Sequence, residues 1–133
     1  MASNAAEIDA TGVAVDCDRL DAYRVARELD AVAFRALPRR GCAGLRDQLD
    51  RASSSIVLNI AEGCGRFARA EKAHFYLIAR GSAMECLAAV SLLQARSLVS
   101  PEPCQRSRSL LMRIVAMLTR LSTAMQARAE SAR

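Results

Sequence analysis

Apolar residues recur at steps of three and four in four separate runs of this chain, and the runs are parted by glycine and proline signals. Such spacing gathers the apolar side chains on one face of a helix of about 3.6 residues per turn, whereas a half-buried strand alternates every second residue. The first run follows Asp18, a capping residue, and carries Leu20, Tyr23, Ala26, Leu29, Ala33 and Leu37 until Pro38 and Gly41 end it. The second starts near Ala43 with Leu45, Leu49, Ala52, Ile56 and Ile60, and stops at Gly63 and Gly65, where glycine weakens any continuation. The third runs from about Ala68 to Leu98. It carries Phe75, Ile78, Ser82, Ala89 and Leu92 along one stripe, with Leu77, Met84, Leu87 and Val90 beside it, an apolar surface too wide for one partner helix that is expected to be hidden between subunits. Ser100-Pro101, a cap and a proline at the first helical position, opens the fourth, marked by Leu110, Leu111, Ile114, Met117, Leu118, Leu121 and Met125. No segment alternates at period two and no repeat is visible. The spacing predicts an all-α fold: an antiparallel up-down-up-down four-helix bundle over residues 18–130, preceded by a flexible extension at 1–17.

Composition narrows the function classes. At 133 residues there is room for one domain, and 4% aromatic content with few turn residues argues against a small β fold. The net charge is +5, and its distribution is uneven: residues 1–38 hold 4 basic and 7 acidic groups, residues 39–133 hold 15 and 7. The body after the first helix therefore carries the excess, which admits an anionic partner. Of the 19 basic residues only Lys72 is lysine, a bias that a GC-rich genome explains as well as phosphate recognition does. Five cysteines (Cys17, Cys42, Cys64, Cys86, Cys104) without a Cys-x-x-Cys spacing read as reduced, packed thiols. No uninterrupted apolar stretch approaches a membrane span and the N-terminus lacks the order of a signal peptide, so the expectation is a cytoplasmic protein with no membrane partner.

Two strings are distinctive: LDRASSSIVLNIAEGCGR at Leu49–Arg66 and FYLIARGSAME at Phe75–Glu85. Together with LDAYRVARELD from Leu20, they resemble the four-helix-bundle family of proteins encoded in 23S ribosomal RNA intervening sequences, over everything but the extension. A related branch is the accessory protein of diversity-generating retroelements. The resemblance implies a ring-shaped homo-oligomer, typically a pentamer, without enzymatic activity, and RNA, DNA, a reverse transcriptase or another protein as partner. Two positions depart from the family pattern: Val57 stands where proline is usual after the Ser-Ile pair, softening an expected kink, and Lys72 replaces an early aromatic residue of the third helix.

Within those strings Arg51, Asn59, Glu62, Arg80, Ser82 and Glu85 are polar residues among apolar neighbours. They read as a structural network of inter-helix hydrogen bonds and ion pairs, with Gly81 as a close-packing position. Arg66, Arg69, Lys72 and Arg80 form a candidate phosphate-facing cluster, since Arg69, Lys72, Tyr76 and Arg80 follow helical steps; a solvated face partly neutralised by Glu71 is the rival reading. Arg106, Arg113 and Arg120, seven apart, form a second candidate on the fourth helix, with Arg108 nearby. Gly63–Ala68 matches a dinucleotide glycine fingerprint formally, but a helix, not a strand, precedes it. Glu71 and His74 give one Glu-x-x-His, where a di-iron bundle needs two plus further glutamates. No catalytic residue, metal or cofactor is expected. The reading is a non-enzymatic oligomeric bundle that binds nucleic acid or a ribonucleoprotein through arginine-rich helix faces, or alternatively a protein-assembly ring without nucleic-acid contact.

Overall fold

The computed structural model describes residues 21–36 and 41–132. Four α-helices make up the described chain: α1 (Asp21–Ala36), α2 (Ala43–Gly65), α3 (Arg69–Ala95) and α4 (Pro101–Ser131), with no strand among the described residues. The extension at 1–17, the Asp18 cap, Leu20 and Leu37 on the first stripe, and the stop at Pro38 fall outside the described residues. Each of α1 and α3 packs on both α2 and α4, while among the described residues the backbones of α1 and α3, and of α2 and α4, do not approach within 8 Å. The helices therefore form the four sides of a square around one core.

The connections follow from backbone chemistry. Gly41 sits at φ 87°, a left-handed conformation that costs glycine nothing. The α2–α3 link is extended at Arg66, whose N–H still reaches the Gly63 carbonyl at 3.2 Å. At the end of α3, Ser97 takes the left-handed position at φ 55°. Its N–H donates to Gln94 O at 3.0 Å and that of Leu98 to Leu93 O at 2.9 Å, the paired bonds of a Schellman cap. Pro101 occupies the first turn of α4, and Ser100 is its cap residue by position only, since its side chain makes no capping bond.

Large aliphatic residues from all four helices fill the centre: Leu29, Ile56, Ile60, Leu93, Leu111, Ile114 and Leu118 are almost fully buried. The structure divides the broad apolar surface of α3 between the core and the outside. The residues α3 turns inward are Ala73, Tyr76, Ala79, Ser82, Ala83, Cys86, Ala89, Val90 and Leu93, whereas Leu77, Ile78, Met84 and Leu92 are exposed. The small side chains on the inner face of α3 let its backbone approach α2 and α4 closely. α3 is also long and apolar enough to cross a membrane, by length and composition only.

Gly81 was expected at a tight crossing, and that is corrected: a Cβ there would meet nothing within 4 Å. The tight position is Gly63, where an added Cβ would lie 2.7 Å from Tyr76 Cε1 and 3.3 Å from Phe75 Cβ. Cys42, Cys86 and Cys104 are buried and Cys64 is half-buried, with no disulfide among them. Burial, with smaller contributions from Glu85 and Asp30, pushes the Cys86 thiol from 9.0 up to about 12. Below pH 9 both folded and unfolded chains keep that proton. As pH rises from there toward 12 only the unfolded chain releases it, so folding loses stability. Melting curves between neutral pH and about pH 11 should therefore decline less steeply for Cys86→Ala than for the parent; identical slopes would contradict this.

Candidate nucleic-acid interface

The α2–α3 turn gathers the first basic cluster, but it does not present that cluster as a uniform stripe. Lys72 sits on the first turn of α3 and reaches back to the end of α2, where its Nζ donates to Gly63 O at 3.2 Å and Cys64 O at 2.9 Å. Carbonyls of a helix's last turn have no following turn of amides to pair with, and an ammonium donates to them while facing the negative end of the helix dipole. Lys72 is thereby committed to the turn. Arg66 pairs with Glu62 one turn back on α2, and its guanidinium lies 4.9 Å from the centre of the Phe75 ring. Tyr76, expected on the phosphate-facing stripe, is buried instead at 4% exposure, beside Cys64 Sγ at 3.8 Å. Burial first, then the neighbouring thiol, raises its pKa, so the phenol stays neutral. Arg69 is exposed and makes no ion pair among the described residues. Arg80 lies about 16 Å further along α3, and its Nε donates to Thr119 Oγ1 on α4 at 2.9 Å. Sequence spacing grouped these four side chains, whereas the structure divides them between the turn and the α3–α4 seam.

The second cluster occupies α4. Arg106, Arg113 and Arg120 are all exposed, and none has an ion-pair partner among the described residues. Their seven-residue spacing sets them about 10 Å apart on one flank of the helix. Arg108 lies on the other flank, where Nη1 donates to Ser91 Oγ on α3 at 2.7 Å. Between Glu102 and Glu130 the sequence carries five arginines and no acidic residue. Nothing on α4 itself neutralises the middle of the helix.

The expected polar network is only partly assembled. Ser82 is buried and its hydroxyl pairs with Ser55 Oγ across α2 and α3 at 2.8 Å, while Asn59 Nδ2 donates to that same Ser55 oxygen at 3.0 Å and to Ser55 O at 2.8 Å. Asn59, Ser55 and Ser82 thus form one chain of bonds. Arg51, Glu62 and Glu85 are exposed and make no inter-helix ion pair. Charged groups stay hydrated here because burying them would cost far more than a hydroxyl does. Arg51 and Glu85 instead line the rim of a groove of about 530 Å³ between α2 and α3, floored by Ser55 and Ser82. Sequence reasoning missed two features: the Ser53 hydroxyl bonded to Asp30 at 2.9 Å, which ties α2 to α1, and Phe67, 94% exposed in the α2–α3 turn. An aromatic residue inside a glycine-marked helix break was the available signal for Phe67.

Among the described residues no three His, Cys, Asp or Glu side chains converge as a metal site would require. A comparison with curated proteins finds no match. The model of the 23S rRNA-intervening sequence protein family matches residues 18–120, a span that holds α1, α2, α3 and most of α4 together with the NIAEG and ARGS strings and both arginine clusters. On that match across most of its length, the chain belongs to the 23S rRNA-intervening sequence protein family.

Proposed function

We propose that this protein binds RNA without catalysis, through guanidinium groups along α4, as a subunit of a ring-shaped cytoplasmic homo-oligomer. The observation that carries the reading is the uncompensated run of arginines on α4, with Arg106, Arg113 and Arg120 exposed and unpaired among the described residues. Guanidinium groups bind phosphate oxygens in pairs and release counterions as they do so, which gives affinity without base specificity. The family description supports RNA as the anion. An up-down-up-down course agrees with the pairs across the seams: Ser55 with Ser82 and Gly63 with Tyr76, then Arg80 with Thr119 and Ser91 with Arg108. In each seam one number rises as the other falls. Association is supported by the outer face of α3, where Leu77, Ile78, Gly81, Met84, Ala88 and Leu92 leave a continuous apolar strip in water. Five copies is the number the family resemblance implies, and a ring would multiply the field of each α4.

The test is a salt titration of RNA binding by the parent and by a variant carrying Arg106→Gln, Arg113→Gln and Arg120→Gln, with helicity and light scattering measured beside it. The variant should bind more weakly on every sequence, and its salt slope should flatten by roughly 0.7 per lost contact on single strands. Unchanged affinity and slope in a folded variant would remove α4 from the interface. A parent that binds no RNA at low salt would overturn the reading in favour of a protein-assembly ring, and a monomer at micromolar concentration would overturn the oligomer.

A further inference from the structure

The α2–α3 turn concentrates a scarce resource. The chain has three Phe and two Tyr, and Phe67, Phe75 and Tyr76 fall within ten residues of one another. Tyr76 is core, and Phe75 is half-buried beneath the Arg66 guanidinium with the His74 ring edge-on at 5.4 Å. Phe67 is different. At 94% exposure it is the most exposed large apolar side chain among the described residues, and it borders an open groove of about 800 Å³ that Arg66 also lines. Arg69, two residues on, is exposed and without an ion-pair partner among the described residues. Two planar groups, the Phe67 ring and the Arg66 guanidinium backed by Phe75, therefore border one groove, and an exposed cation without an ion-pair partner among the described residues, Arg69, opens the next helix two residues on. Flat aromatic and guanidinium surfaces next to a phosphate-binding cation are what unstacked nucleobases require. A duplex cannot use them, because its bases are already stacked.

The local charge says what the turn can contribute. Glu62 takes up Arg66, Lys72 is bound to carbonyls, and the carboxylates of Glu62 and Glu71 both line the groove beside Phe67. Long-range attraction here is weak, so stacking must supply the affinity.

We infer that the α2–α3 turn is a stacking site for single-stranded RNA, with a base on Phe67, a second base plane on Arg66 and a phosphate on Arg69. It rests on the RNA-binding reading and adds to it the class of nucleic acid: single-stranded bases at the turn, phosphates along α4. It also separates the two surfaces experimentally. Loss of α4 arginines flattens the salt dependence, whereas loss of the Phe67 ring lowers affinity and leaves the salt slope alone, since no counterion is released by stacking.

The experiment measures binding of the full chain to an oligouridylate and to an RNA duplex of equal length, for the parent, Phe67→Ala and Phe67→Trp. Because Phe67 is exposed, neither substitution should disturb helicity. Phe67→Ala should weaken single-strand binding roughly five- to hundred-fold at unchanged salt slope, with Phe67→Trp restoring it and duplex binding unaffected. Equal loss on both RNAs, or no loss on either, overturns the stacking site while leaving the α4 reading in place. A change of assembly size in Phe67→Ala would assign the ring to contact between copies and likewise overturn it. Absence of RNA binding by the parent at low salt removes both.

Discussion

Leu111→Ala should destabilise the protein by about 2–5 kcal/mol, the range for removing a large aliphatic side chain from a site that cannot collapse. Leu111 is fully buried in the first half of α4. The setting favours the upper part of that range. Alanine and cysteine supply Ala22, Ala26, Ala52, Ala73, Ala79, Ala83, Ala89, Cys42, Cys86 and Cys104 of the core, so few large residues carry most of the apolar burial. Small neighbours also lack the side-chain length to swing into a void, and the cavity stays open. Denaturant unfolding at fixed protein concentration measures the effect, since association would shift the midpoint by mass action. A loss below about 1 kcal/mol would mean that the four-sided packing rearranges far more freely than described.

Gly63→Val should be nearly as damaging, at about 1–3 kcal/mol or more. A Cβ at Gly63 would stand 2.7 Å from Tyr76 Cε1 and 3.0 Å from Tyr76 Cδ1, and the ring is itself buried, so it has no easy direction in which to yield. Forcing it away also parts the α2–α3 seam where Lys72 reaches across, so the damage should spread to the turn. Gly81→Ala is the control of opposite sign. It meets nothing within 4 Å and lies inside a helix, where replacing glycine by alanine gains about 0.8–1.0 kcal/mol of backbone propensity. Thermal melts of the two variants should move in opposite directions; a fall for Gly81→Ala with a smaller assembly by light scattering would instead mark a close approach between copies.

These two glycines show where the sequence was legible. The helix-break pattern placed α2, α3 and α4 to within a few residues, because glycine and proline act locally and the apolar period needs no partner to be seen. It could not say which glycine lies in a crossing, since that depends on the rotation of one helix against another. The same gap leaves the rotation of α3 open. Its apolar residues surround the helix broadly, so periodicity does not show which arc meets the core, and the structure turns Ala79, Ala83 and Cys86 inward. For the site, spacing correctly put Arg106, Arg113 and Arg120 on one exposed flank because those positions lie along a single helix. It grouped Lys72 with Arg69 because no pattern shows a side chain turning back to the carbonyls of the preceding helix. The apolar neighbours of Arg51 and Glu85 point to network members, whereas a long charged side chain leaves such a stripe at its edge and stays in water.

The commitment of Lys72 to the end of α2 has a consequence for how the molecule's charge could be altered after synthesis. Lys72 is the chain's one lysine, so every other side-chain cation on the basic body is an arginine. Acetylation, which erases charge from lysine, has no lysine target on either arginine cluster apart from this one, and its amine is held by two carbonyls. Arginine methylation blocks hydrogen bonds but keeps the charge. The positive field along α4 is therefore chemically permanent against acyl transfer, and an enzyme that acylated Lys72 would loosen a turn instead of dimming a surface.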